Sequence, residues 1–317
     1  MSAPATHLPH LGWTTSAPVS EDARVEAPRE LRALVTGASG YLGTHLCASL
    51  RAEGWQVHAL LRAQSDDSRL TAGVASRRLT ESVSVGDVVR ETRPEVVFHL
   101  AAESPSLGAE VNVRHLLTSN VVFAGEVFSA AADVGAALVY TGSFSQTSGG
   151  AAYDPNSLYA ASKQAAACLI EFYARRKSLR AATVRLPHIY GPNDWRDKLL
   201  ARLARMSETD PPLALTPGEQ ATDFLYVDDA VNALVVTATR LLALSAGGHE
   251  IYSPSSGEIV SLRTVVELLC EVRGVRLPLA WGAKPYPDGE VMHMETGTPP
   301  SGWRPRVSLR EGLARAV

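Results

Sequence analysis

Tyr159 and Lys163 lie in the run Leu-Tyr-Ala-Ala-Ser-Lys. Four residues apart on a helix, they share one face. A phenol beside an ammonium group can hand a proton to a carbonyl oxygen, because the cation favours the phenolate and brings its pKa of about 10 toward neutrality. Ser143 lies upstream in Tyr-Thr-Gly-Ser-Phe-Ser, where its hydroxyl can hydrogen-bond the same oxygen and stabilise developing charge. Lysine is scarce here, at 163, 177, 198 and 284 alone among 30 basic residues, so Lys163 stands out. Taken singly, the pair also fits an aromatic at a helix start beside a solvated lysine.

A proton donor of this kind is useful beside a hydride carrier, and the chain has the turn to hold one. Val35-Thr-Gly-Ala-Ser-Gly-Tyr-Leu-Gly43 follows an apolar strand and opens a helix. Gly37 permits the tight turn, Gly40 lets backbone approach a pyrophosphate, and Gly43 allows close helix–strand packing. The helix N-terminus beyond offers N–H groups to the phosphates. At the end of the second strand an acid would bind the ribose 2′-hydroxyl of NAD; this chain has Arg62, which suits the 2′-phosphate of NADP. NADP(H) is therefore preferred, with NAD(H) possible. The competing reading is a solvated arginine near Asp66 and Asp67.

Around these residues the pattern alternates apolar runs with helix-period segments. Strands are predicted at Leu31–Val35, Gln56–Leu61, Ser82–Val85, Glu95–Leu100, Ala137–Thr141 and Ala182–Leu186. Helices are predicted at Tyr41–Glu53, Leu116–Val134, Tyr159–Arg175, Lys198–Met206, Asp228–Leu242 and Ser261–Val272, with a loop at Pro211–Gly218. The fold class is α/β, a doubly wound parallel Rossmann sheet with a smaller interleaved C-terminal substrate domain. The expected division is a flexible extension over 1–29, a dinucleotide-binding part over 30–192 with 223–243 packing back on it, and a substrate-binding part from 193–222 and 244–317.

Composition excludes other classes. The 317 residues are 45% hydrophobic and 20% charged, with a formal net charge of −3. That argues against a nucleic-acid or anionic-membrane surface. No apolar run reaches the roughly 18 residues of a membrane span. Residues 1–29 lack a basic start and apolar stretch. Cys47, Cys168 and Cys270 have no metal-ligand spacing; Cys47 and Cys168 read as reduced core thiols, fitting a reducing cytoplasm. No His/Asp/Glu cluster suggests a metal. His99 reads as a satisfied core histidine, and Asp228-Asp229 as acids complementing a helix dipole. Ser143 is not in a Gly-x-Ser-x-Gly elbow, which argues against a hydrolase.

Together these features resemble the extended short-chain dehydrogenase/reductases, the NAD(P)-dependent epimerase/dehydratase group. The resemblance runs from about Leu31 to Leu313 through VTGASGYLG (35–43), Gly86-Asp87-Val88, FHLAAES (98–104), YTGSFSQ (140–146), LYAASK (158–163), RLPHIYGP (185–192), DFLYVDDA (223–230) and GWRPRVSLREGL (302–313). It implies that Gly37, Gly40, Tyr41, Leu42 and Gly43 line the pyrophosphate and that Arg62 meets the adenosine ribose. Asp87 and Val88 would meet the adenine, and Leu100, Ala101 and Ala102 would lie beside the inner ribose or the pyrophosphate. Pro187 and His188 would flank the nicotinamide, with Ser143, Tyr159 and Lys163 catalytic. Glu103, Ser104, Ser143, Phe144, His188, Arg196 and Lys198 would face substrate. It also implies a cytoplasmic homodimer.

Within the group, YTGSFSQ, LTPGEQATDF (215–224) and WGAKPYPDGEVM (281–292) are similar to NDP-4-keto-6-deoxyhexose reductases such as CDP-abequose and CDP-paratose synthases, which serve polysaccharide and antibiotic deoxysugar pathways. Phe144-Ser145 replaces the Asp-Glu of the dehydratases. Three departures stand out: Thr222 and Pro287 occupy positions where the group commonly has diphosphate-clamping arginines, and His188 replaces its usual Asn. The leading expectation is an NADPH-dependent ketoreductase of a nucleotide sugar. Reduction of a polyketide or aromatic ketone, NAD-dependent epimerisation, and a non-enzymatic dinucleotide sensor stay open.

Overall fold

The computed structural model describes residues 30–148 and 153–317; the expected extension over 1–29 lies outside them. In the first half, β1 (Arg32–Thr36), α1 (Tyr41–Ala52), β2 (Gln56–Leu61), β3 (Ala75–Arg78), α2 (Val85–Thr92), β4 (Val96–His99), α3 (Val113–Leu117), α4 (Phe123–Val134), β5 (Ala137–Ser143), α5 (Leu158–Lys177) and β6 (Arg180–Leu186) alternate. They are followed by β7 (His188–Tyr190), α6 (Leu199–Arg205), β8 (Leu213–Ala214), β9 (Ala221–Tyr226), α7 (Val227–Leu242), β10 (Gly248–Tyr252), β11 (Ile259–Ser261), α8 (Leu262–Arg273), β12 (Leu279–Ala280) and α9 (Leu309–Ala316).

Seven strands form one parallel sheet in the order β10-β6-β5-β4-β1-β2-β3. Its central strands are apolar runs because both faces are covered. One face packs on α1 and α7 through Leu46, Leu50, Leu234 and Ala238; the other packs on α2, α4 and α5 through Val89, Phe128 and Ile170. The order reverses between β1 and β4, which opens a crevice at the carboxyl ends of the strands. Residues 248–252 complete this sheet as its edge strand, although they fall in the segment expected to bind substrate. Smaller sheets, β11-β9-β7 and β12-β8, flank the crevice. The second of these gives the expected Pro211–Gly218 loop a short strand.

Three expectations are corrected. The third strand is Ala75–Arg78, not Ser82–Val85. The alternating Ser-Val-Ser-Val looks strand-like, but Ser84 and Asp87 form a reciprocal capping box that starts α2. The expected helix Leu116–Val134 begins at Val113 and contains a π-helical turn at Thr118–Val122. Cys168 is exposed, whereas Cys47 is buried and its thiol is pushed up to about 12. His99 is buried, its Nδ1 2.8 Å from Thr36 Oγ1, and burial pulls its pKa down to about 3.

The two adjacent acids of α7 divide their work. Asp228 is exposed in the first turn, while Asp229 is buried and accepts from the backbone N–H of Arg306 and Val307 at 3.0–3.1 Å. Trp303 Nε1 donates to the Asp229 carbonyl at 3.2 Å. This carboxylate moors the C-terminal segment to α7. Asp229→Ala should strand these donors and cost about 2–3 kcal/mol in urea unfolding; a loss below about 0.5 kcal/mol would show that the mooring contributes nothing.

Candidate active site

The floor of the crevice is the glycine turn. Gly37 has φ 68°, and a Cβ there would stand 2.7 Å from the Ala101 nitrogen. At Gly43 a Cβ would meet the Gly37 carbonyl oxygen at 2.1 Å. Only glycine fits either position. Helix α1 begins at Gly40 with no side-chain cap and no acidic residue in its first turn. That leaves backbone donors and the positive helix end to a ligand phosphate, so the turn fits a dinucleotide. Leu42, Leu100 and Ala102 line the cleft beside it. Ala101 contributes its backbone to the floor, with its N–H donating to Thr36 Oγ1. The Tyr41 side chain points elsewhere: its hydroxyl donates to the Pro192 carbonyl at 3.2 Å and its ring packs on Trp195 and Arg196.

Arg62 follows β2 directly and is largely exposed, 3.7 Å from the Glu103 carboxylate. Arg78, at the end of β3, donates to the carbonyls of Arg62, Ala63 and Ser65 and pairs with Asp67 at 2.8 Å. It shapes the loop that presents Arg62. Asp87 and Val88 lie at the start of α2. The Asp87 carboxylate is engaged by Ser84 and Arg90, which hold it down to about 2, and Val88 is buried against Val85 and Leu34.

Ser143, Tyr159 and Lys163 meet in a cleft of about 730 Å³. Ser143 ends β5, and its hydroxyl lies 2.8 Å from that of Ser145. Ser157 caps α5 by accepting the Ala160 N–H at 3.2 Å, fixing the helix start that carries Tyr159. Lys163 is buried and its Nζ donates to the Thr141 carbonyl at 2.9 Å, tying α5 to β5. The expected electrostatics are corrected here. Burial is the largest influence on Tyr159 and raises its pKa, outweighing the favourable Ser104 and Ser143 hydroxyls. Burial also brings Lys163 down to about 7, so the lysine is a weaker cation than the sequence suggests.

The remaining residues divide sharply. Ser104, Phe144, Pro187, His188, Arg196 and Lys198 all line the cleft. His188 is exposed to the cleft beside Phe144 and Phe224, ring centroids 4.8 and 5.2 Å away. Desolvation by the surrounding walls lowers its pKa, and the nearby Lys198 charge lowers it further. Arg196 is already satisfied by Asp194 at 2.8 Å and the Ile189 carbonyl at 3.0 Å. Lys198 forms no direct hydrogen bond or ion pair among the described residues, and burial lowers its pKa. Glu103 turns outward, toward His115 at 3.1 Å and Arg62.

Three residues escaped the sequence reading. Asn120, turned inward at the π-helical turn, donates to the Ser162 hydroxyl and the Glu103 carbonyl, each at 3.0 Å. Ser162 in turn donates to the Tyr159 carbonyl at 2.7 Å, so Asn120 braces the turn that carries Tyr159. A lone Asn within an apolar helical run was the available signal. Asn156 and Gln220 line the cleft with side-chain oxygens that are buried without a partner; nothing in their local sequence marks them.

Residues 33–250 match the family model described as NAD dependent epimerase/dehydratase family. A probable UDP-glucuronate 4-epimerase of Rhizobium meliloti is 24% identical, with 90% of this chain and 96% of the relative covered. CDP-abequose synthase of Salmonella muenchen is 22% identical over the same shares, 90% and 96%. Among solved structures, MoeE5 in complex with UDP-glucuronic acid and NAD superposes with a TM-score of 0.77 at 28% identity, covering 90% of this chain and 97% of that one.

The Lys163 shift makes stability depend on pH. Between about 7 and the ordinary 10.5, the unfolded chain holds this proton and the folded chain does not. The group's contribution to stability therefore rises with pH across that window. The melting temperature of Lys163→Met minus that of wild type should be greatest near pH 7 and fall toward pH 10; a flat difference would mean that Lys163 stays charged when folded.

Proposed function

The chain belongs to the NAD dependent epimerase/dehydratase family, and from that premise we propose that it is an NADPH-dependent reductase of an NDP-4-keto-6-deoxyhexose. The observation that carries the cofactor choice is Arg62, presented at the end of β2 where an NAD-selective site would place an acid. When bound, the cofactor supplies the hydride.

The chain's own residues supply the rest. Tyr159, kept protonated at neutral pH by burial, gives its proton to the oxygen of the reduced carbonyl. The Ser143 hydroxyl hydrogen-bonds the same oxygen as charge develops. Lys163 holds the Tyr159 turn against β5 and lies near the cofactor ribose. With Thr222 and Pro287 in place of the common arginines and Arg196 occupied by Asp194, Lys198 is the cation for the diphosphate. Asn156 and Gln220 offer their unpartnered oxygens to sugar hydroxyls. Phe144-Ser145 after Ser143 provides no acid for dehydration.

A second reading, 4-epimerisation of a nucleotide sugar with retained NAD, is favoured by one observation. Glu103 stands within ion-pair range of Arg62 and competes with a 2′-phosphate for it. The MoeE5 and UDP-glucuronate 4-epimerase likenesses also support it.

Nicotinamide absorbance with a panel of NDP-4-keto-6-deoxyhexoses separates the two. Stoichiometric NADPH oxidation is expected. Interconversion of UDP-hexoses with no net cofactor consumption would replace this reading with the second. Tyr159→Phe should lose about 100-fold or more in turnover while binding cofactor normally; retained turnover would remove Tyr159 from the proton step. Lys198→Met should raise KM for the nucleotide sugar about tenfold with little change in kcat; an unchanged KM would assign the diphosphate to other groups.

A further inference from the structure

A second cavity, of about 210 Å³, adjoins the catalytic cleft, and Phe144 and Val291 line both. Arg185 enters it from β6. Along that strand Ala182, Val184 and Leu186 pack toward α7, and Thr183 and Arg185 alternate with them. Thr183 is covered by His249, 2.8 Å from its hydroxyl. Arg185 has no such cover. Its stem lies against Gly142, where an added Cβ would come within 3.1 Å of Arg185 Cγ.

The guanidinium is the unusual feature. Its buried Nε has no hydrogen-bond partner, and no ion pair reaches it among the described residues. Desolvation lowers its pKa, and no neighbouring anion opposes that. Arg32, Arg196 and Arg240 pair with Glu95, Asp194 and Glu250; Arg51 shares the unpartnered buried Nε, but its NH1 donates to the Trp55 carbonyl at 2.9 Å. A desolvated cation without a counter-charge is costly. The cavity wall also carries the hydroxyls of Thr147, Ser253 and Thr296, while those of Ser148 and Ser255 are engaged by the Asp154 carbonyl and the Asp223 carboxylate. One carboxylate, on the exposed Glu295, shares the lining without pairing with Arg185.

We propose that Arg185 and the hydroxyls of Thr147, Ser253 and Thr296 form an oxyanion subsite for a carboxylate or phosphoryl group. The volume is below the roughly 300–1,000 Å³ of sites that enclose a whole drug-sized ligand, so the occupant is a small anion or one substituent of a larger molecule. The shared lining residues allow two sources: a group on the substrate reaching past Phe144, or a separate small anion. The subsite is independent of whether the cleft reduces or epimerises.

Inorganic phosphate is the first probe, titrated calorimetrically into full-length protein saturated with its preferred nicotinamide cofactor, which occupies the glycine turn. Wild type and Lys198→Met should bind phosphate alike. Arg185→Met should weaken it at least tenfold with cofactor binding unchanged, and Arg185→Lys should restore part of the affinity. Should Arg185→Met fail to fold, Ser253→Ala together with Arg185→Lys carries the test, each expected to weaken phosphate severalfold. No phosphate binding to wild type, equal binding across the Arg185 variants, or loss in Lys198→Met instead would overturn the proposal. Competition then identifies the source. Displacement of phosphate by UDP-glucuronic acid but not by UDP-glucose would assign the site to a substrate carboxylate; phosphate bound alongside both would assign it to a separate anion.

Discussion

The site depends on one close backbone approach. Where β1 and β4 part, the Gly37 turn lies directly against the Leu100–Ala101 exit of β4, with no room for even a methyl group between them. The Gly37 carbonyl accepts the Gly40 N–H at 3.0 Å and faces Gly43 closely enough to exclude a side chain there. The contact sets the depth of the crevice and aims the first turn of α1 into it. On its other side β4 pairs with β5, whose end carries Ser143.

From that floor the side chains of the cleft are positioned by ties between neighbouring elements. Lys163 joins α5 to the Thr141 carbonyl, Asn120 braces the Tyr159–Ser162 turn from the π-helical segment, and Phe144 and Phe224 clasp His188. Lys163 and Asn120 are withdrawn from water by these ties, whereas His188 stays exposed to the cleft. The electrostatic consequence is a cleft whose titratable groups favour their neutral forms: Tyr159 raised, Lys163 and His188 lowered. A neutral, proton-loaded phenol suits proton donation better than a resting phenolate.

The cationic groups near the cleft are arranged unequally. Arg196 is spent on Asp194 and on the Tyr41 ring, so it stiffens the loop after β7 instead of meeting substrate. Lys198, two residues on, is left without a direct partner. Arg62 is shared with Glu103, and Arg78 shapes the loop beneath it. Three arginines and a lysine, set around two loops, thus do different work.

The sequence alone determined the fold class, the glycine turn and the Ser143, Tyr159 and Lys163 set, because these rest on local periodicity: alternation of apolar runs, glycines at fixed offsets, and two side chains one helical turn apart. It misread Ser82–Val85, where local alternation and a local capping box conflict and only packing of Val85, Val88 and Val89 on the sheet decides between them. Only the tertiary structure decided which charges remain available. Pairing of Arg62 with Glu103, mooring by Asp229 and the unmatched burial of Arg185 all join segments far apart in the chain. Desolvation likewise depends on what folds over a group, not on the residues beside it.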